Sequence, residues 1–135
     1  TPAKLPINRP KRRMKTILVV DDNQDMLEVL ILILKDYGFS VLSAKDGEDG
    51  LKVFTDHRGS IDVVLSDIVM PKLNGVDMAK TIMLADPEAR IVFMSGYDLT
   101  EEGRDFKTAW NVRWLHKPFA VEHLKEVIAE LAEAT

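Results

Sequence analysis

Five residues of this 135-residue chain are of types that could do chemistry together. Asp21 and Asp22 follow an apolar run at 16–20, Asp67 ends another at 61–66, Ser95 follows one at 90–94, and Lys117 comes two residues after one at 112–115. Three carboxylates drawn close repel one another unless a cation neutralises them. Oxygen-only ligands suit a hard ion such as Mg2+, with Mn2+ the alternative; Mg2+ keeps several waters and takes one or two carboxylates plus a phosphate. A lysine ammonium and a serine hydroxyl would complete a site able to grip phosphate oxygens. Each residue alone has an ordinary use. Asp21 or Asp22 could cap a helix, Asp67 and Ser95-Gly96 could form turns, and Lys117 could be a solvated lysine. The conjunction carries the argument, because the right residue types close four strands, the first, third, fourth and fifth.

What must position them is an alternation of strands and helices. Residues 16–20 read as a β-branched strand, with Asp22 or Asn23 placed to cap the next helix. That helix has Met26, Leu27, Leu30, Ile31, Leu34 and Tyr37 at helical spacing, and Gly38 supplies its stop. Strands are expected at 40–44, at 63–66 reaching Asp67, at 90–94 and at 112–115. Helices are expected at 47–57 with Leu51, Val53 and Phe54 inward, at 75–85 with Val76, Ala79, Ile82 and Met83 inward, and at 121–132 with Leu124, Val127, Ile128 and Leu131 inward. A weaker helix over 98–110 contains Gly103, which costs about 1 kcal/mol in a helix interior. Five strands alternating with five helices predict an α/β fold: a doubly wound parallel sheet covered on both faces, in the flavodoxin-like order 2-1-3-4-5. In such a sheet the C-terminal strand ends share one edge. The switch point falls between strands one and three, the two that end in aspartates.

Composition fits one domain, with 46% hydrophobic and 30% charged residues. The absence of cysteine excludes disulfides, thiolate metal sites and cysteine nucleophiles. No apolar run approaches the ~20 residues of a membrane span, so the cytoplasm is the expected location and no direct membrane contact is expected. Residues 1–15 hold six basic residues, three prolines and no acid, and read as an extended linker ahead of a domain at 16–135. The rest carries 12 basic against 22 acidic residues, a poor balance for nucleic-acid binding. His57, His116 and His123 share no face, and Glu122, Glu126, Glu130 and Glu133 read as the solvated side of the last helix.

The motifs Val-Val-Asp21-Asp22, Asp67-Ile-Val-Met-Pro-Lys-Leu-Asn-Gly75, Met94-Ser95-Gly96 and Lys117-Pro118-Phe119 together resemble the receiver domain of two-component response regulators, over residues 16–132. The resemblance implies that Asp67 accepts a phosphoryl group from a phosphohistidine. Asp21 and Asp22 would hold Mg2+ with Asp67 and the backbone carbonyl of Val69. Lys117 would bind one phosphoryl oxygen, Ser95 another once phosphate is present, and the Lys117–Pro118 bond would be cis. The implied partners are a sensor histidine kinase or a histidine phosphotransfer protein, acting on a monomer. The domain would catalyse its own phosphorylation and a slow self-dephosphorylation.

The chain also departs from the family pattern. Trp114 falls where the switch residue on strand five is usually Tyr or Phe, which puts the usual aromatic switching in doubt. Val69 offers no polar group to orient water, and Tyr97 could shield the phosphate, so slow self-dephosphorylation is expected. The Met-Ser-Gly-Tyr97 turn and the basic linker resemble a receiver fused behind a histidine kinase, with a free-standing regulator as the alternative. Two rivals remain. A haloacid-dehalogenase-like phosphatase would need Asp-x-Asp-x-Thr, which Asp21-Asp22-Asn23-Gln24-Asp25 does not match. A phosphate-independent interaction module would lack acidic or lysine positions, and none is lacking. A dinucleotide-binding domain is excluded by the absence of Gly-x-Gly-x-x-Gly after the first strand.

Overall fold

The computed structural model of the chain describes residues 14–96, 106 and 108–134. Its elements in order are β1 (Thr16–Val20), α1 (Gln24–Asp36), β2 (Ser40–Ala44), α2 (Gly47–Asp56), β3 (Val63–Asp67), α3 (Gly75–Ala85), β4 (Ile91–Ser95), β5 (Val112–His116) and α4 (Val121–Glu133). All strand pairs are parallel, in the order β2-β1-β3-β4-β5. This is the expected α/β, flavodoxin-like arrangement. The helix expected over 98–110 falls largely outside the described residues, as do residues 1–13 of the expected linker.

The near-continuous apolar strands follow from burial on both faces. Successive side chains alternate between two half-cores. Leu18, Val20, Val64, Ile91 and Phe93 face Phe54, Val76, Ala79 and Ile82 of α2 and α3. Ile17, Val19, Val63, Leu65, Val92 and Met94 face Leu27, Leu30, Leu34, Leu124, Ile128 and Leu131 of α1 and α4. Burying each large aliphatic side chain contributes about 1.5–3 kcal/mol, so the central strands are the best-anchored part of the molecule.

Local chemistry sets the helix ends. Asn23, rather than Asp22, caps α1 by accepting a hydrogen bond from the Met26 N–H at 3.0 Å. At the other end Gly38 has φ +100°. Its N–H donates to the Lys35 carbonyl while that of Phe39 donates to the Leu34 carbonyl, which satisfies two orphan acceptors. The C-terminal carbonyls of α4 are met from the sheet: the Arg90 guanidinium donates to Ala132 and Ala134 and lies over the Trp110 ring.

Two positions depart from the apolar spacing of their helices. Tyr37 is 48% exposed, because it has passed the last full turn of α1; its ring instead contacts Phe39 and underlies the Lys125 ammonium at 4.9 Å. Met78, outside the expected inward set, is fully buried, because α3 packs on α2 as well as on the sheet and Met78 fills the space left by Gly50.

Candidate functional site

The parallel register brings the strand mouths together. The Asp21 N–H donates to Ala44 at 3.2 Å, so the residue just past β1 stays locked beside β2 with its side chain 1% exposed. Asp67 is the last residue of β3, and the next N–H, that of Ile68, donates to Met94 of β4. Beyond it the chain turns at once. The Gly75 N–H donates to the Ile68 carbonyl at 2.8 Å, and a Cβ on Gly75 would sit 2.2 Å from the Asp67 carbonyl oxygen. Only glycine fits there, which ties the start of α3 to the position of Asp67.

Ser95 closes β4 and is buried. Its carbonyl accepts from the Lys117 N–H at 2.7 Å, and the Lys117–Pro118 bond is cis. The Lys117 ammonium lies 3.3 Å from Asp67 Oδ2. One carboxylate oxygen from each of Asp21, Asp22 and Asp67 lies within 4.8 Å of the others. Asp21, Asp22, Asp67, Ser95 and Lys117 therefore gather at one edge of the sheet, as expected. Val69 lies in the loop two residues beyond Asp67, with its side chain 66% exposed.

The electrostatics ask for a cation. Burial pushes the Asp21 carboxyl above its ordinary value; a hydrogen bond from the Asn23 N–H opposes this, and repulsion from Asp67 and Asp22 adds to it, with Lys117 partly compensating. Asp21 Oδ2 is buried and finds no hydrogen-bond partner among the described residues. A buried carboxylate oxygen left unpartnered beside two more carboxylates is costly unless a metal ion coordinates it. The donor set is all oxygen and suits Mg2+ or Mn2+.

Trp114 is half-buried on β5, with its ring 4.8 Å from that of Phe93 and packed against the half-core under α2 and α3. Phe106, a described residue within the 98–110 segment, has its ring 5.8 Å from that of Phe93. Tyr97 lies outside the described residues. The three histidines do not converge: His57 contacts the Val53 carbonyl, His123 pairs with Glu126, and His116 is exposed at the end of β5.

Sequence reasoning missed the wall behind the turn. Asp46 caps α2 through the Asp49 N–H, and Gly47 abuts Leu73, where a Cβ would lie 2.2 Å from the carbonyl oxygen. The signal was present as Asp46-Gly47-Glu48-Asp49, a capping residue followed by acids in the first turn.

The chain belongs to the response regulator receiver domain family, whose model matches residues 17–129. Among curated relatives, the response regulator receiver protein CpdR of Brucella abortus is 29% identical over 118 residues, covering 87% of this chain and 94% of that protein. The sensor kinase CckA of the same organism is 27% identical over 118 residues, again 87% of this chain but 12% of the kinase. Among solved structures, the response regulator TrrA from Thermotoga maritima, in complex with Mg2+ and BeF, is 33% identical with a TM-score of 0.74, covering 87% of this chain and 99% of that one. Family, fold and motifs define a two-component receiver domain. No described helix is long and apolar enough to cross a membrane.

Proposed function

We propose that Asp67 is the phosphoacceptor of this domain, taking a phosphoryl group from the phosphohistidine of a sensor kinase or a histidine phosphotransfer protein. The observation that carries the reading is the convergence on Asp67 of two further carboxylates and one ammonium, Lys117, at 3.3 Å. An oxygen of Asp67 attacks phosphorus as the P–N bond to the imidazole breaks, and the leaving nitrogen keeps the bonding pair. Phosphoryl transfer asks the protein for in-line positioning and for positive charge facing the oxygens. Lys117 supplies one such charge, and the buried Ser95 stands at the neighbouring strand end to receive a second phosphoryl oxygen. Asp21, Asp22 and Asp67, with the Val69 carbonyl, would hold Mg2+, which when bound neutralises phosphoryl oxygens.

The proposed domain proper is 16–135, with 1–15 as a linker, and the proposed setting is the receiver of a hybrid histidine kinase. A free-standing regulator is the alternative, and the two named relatives include one of each kind. The core reading is tested by incubation with Mg2+ and phosphoramidate, followed by intact mass. One phosphoryl group should be gained, and none in Asp67→Asn. No gain even with a cognate kinase would sink it. The setting is tested by immunoblot of the native protein: a species much larger than 15.2 kDa supports the fused form.

A further inference from the structure

Lys72, in the turn between β3 and α3, is the one non-glycine residue with positive φ among the described residues, at +69°. The Leu73 N–H donates to the Pro71 carbonyl at 2.8 Å and closes a γ-turn around it. A side chain at such a φ is strained, and this form of the γ-turn is rare. Strain persists where surroundings over-determine it, and here the surroundings belong to α2. The Lys72 ammonium lies 3.8 Å from Asp46 Oδ2 and 3.9 Å from Glu48 Oε1. Asp46 is largely buried, and its other oxygen caps α2. Beside it Gly47 leaves room only for the Leu73 carbonyl. The same helix reaches β1, since Gly50 sits against Val20, the residue before Asp21. One helix start thus braces both the strand end carrying Asp21 and the loop that follows Asp67.

We infer that Lys72 is a positioning residue for the cation site: its hold on Asp46 and Glu48 keeps the 68–75 loop, and with it Asp67, in the arrangement that receives the metal. Lys72 touches neither cation nor phosphoryl group. The inference rests on the proposed function, in that a divalent cation binds at Asp21, Asp22 and Asp67.

The test is calorimetric titration of Mg2+ into wild type, Lys72→Ala, the pair Asp46→Asn with Glu48→Gln, and all three changes combined. Asparagine caps a helix as well as aspartate, so α2 keeps its start. Partly exposed ion pairs are modest, so Lys72→Ala should weaken Mg2+ binding by about threefold. The acid pair should lose a similar factor, the combination should lose no more, and phosphorylation at saturating Mg2+ should reach the wild-type extent. Removing a lysine from near a cation site would tighten binding if charge alone mattered, so tighter binding in Lys72→Ala overturns the inference. So do additive losses, or a lowered Tm with unchanged Mg2+ affinity. Wild type that binds no Mg2+ overturns the proposed function as well; wild type that binds it while every variant matches it overturns the inference alone.

Discussion

The Lys117 ammonium stands 3.3 Å from Asp67 Oδ2, with the two side chains 28% and 14% exposed. The contact spans three adjacent strands: Asp67 ends β3, Lys117 follows β5, and Ser95 of β4 lies between and holds the Lys117 backbone by its carbonyl. The lysine thus already neutralises the carboxylate that a cation would share, and under the proposed function the two positive charges would compete for it before cooperating on a phosphoryl group.

Lys117→Met should therefore move two measurements in opposite directions. Mg2+ binding should tighten, because a competing cation is gone. Phosphorylation by a small donor should slow by about 100-fold, the usual loss when one preorganised partner of a developing oxyanion is removed. Calorimetry and timed intact mass read the two effects.

The buried Asp21 carboxyl gives a pH dependence with a definite sign. Its folded value is raised above the ordinary 3.8, first by burial and then by its acidic neighbours. The folded state therefore binds the proton more tightly than the unfolded chain. This contribution favours folding at low pH and is lost as pH rises from about 3.8 through the raised value. In EDTA, Asp21→Asn should be more stable than wild type at pH 7, by about 4 °C in Tm for each kcal/mol relieved. The difference should shrink toward pH 4, and the variant should gain far less Tm from added Mg2+.

Gly75→Ala should be severe. Its Cβ would meet the Asp67 carbonyl oxygen at 2.2 Å, a backbone atom that cannot step aside without moving Asp67. A loss of about 3 kcal/mol or more is expected, at the upper end of overpacking costs. Urea unfolding measures it. Gly38→Ala, at φ +100° with open space around it, should cost only about 1–2 kcal/mol and leave phosphorylation unchanged.

The phosphoryl group should be long-lived once on Asp67. Val69, exposed in the loop two residues on, offers no hydrogen bond to an attacking water. A half-life of minutes or longer in Mg2+ buffer is expected, and Val69→Asn should shorten it. A wild-type half-life of seconds would refute the idea.

Much of this was legible in the residues. Strand runs such as 16–20 and 63–66 are apolar on both faces because both faces are covered, and that pattern does not depend on context. Asp21, Asp22, Asp67, Ser95 and Lys117 could be brought together because a parallel sheet sends every strand end to one edge. Long-range fit was not legible. Nothing local says that Gly47 must admit the Leu73 carbonyl, or that Lys72 takes a positive φ in order to meet Asp46. Those contacts join segments some 26 positions apart, and their cause lies in how α2 leans on the turn. Tyr37 erred for a related reason: helical spacing ran one step past the end of the helix that produced it.

The two tryptophans stand at different heights, one before β5 and one within it. Trp110 precedes β5 at the edge away from the site, over Arg90, while Trp114 lies within β5, against Phe93. At ~3.3 Å per strand residue, Trp114 is about 10 Å along the chain from Lys117, and Trp110 lies further back, before the strand begins. The molecule thereby contains its own optical reporter and its own reference. With Trp110 changed to Phe, ultraviolet emission comes from an indole close to the chemistry. With Trp114 changed to Phe, it comes from one far away, where quenching on loading the site would be absent.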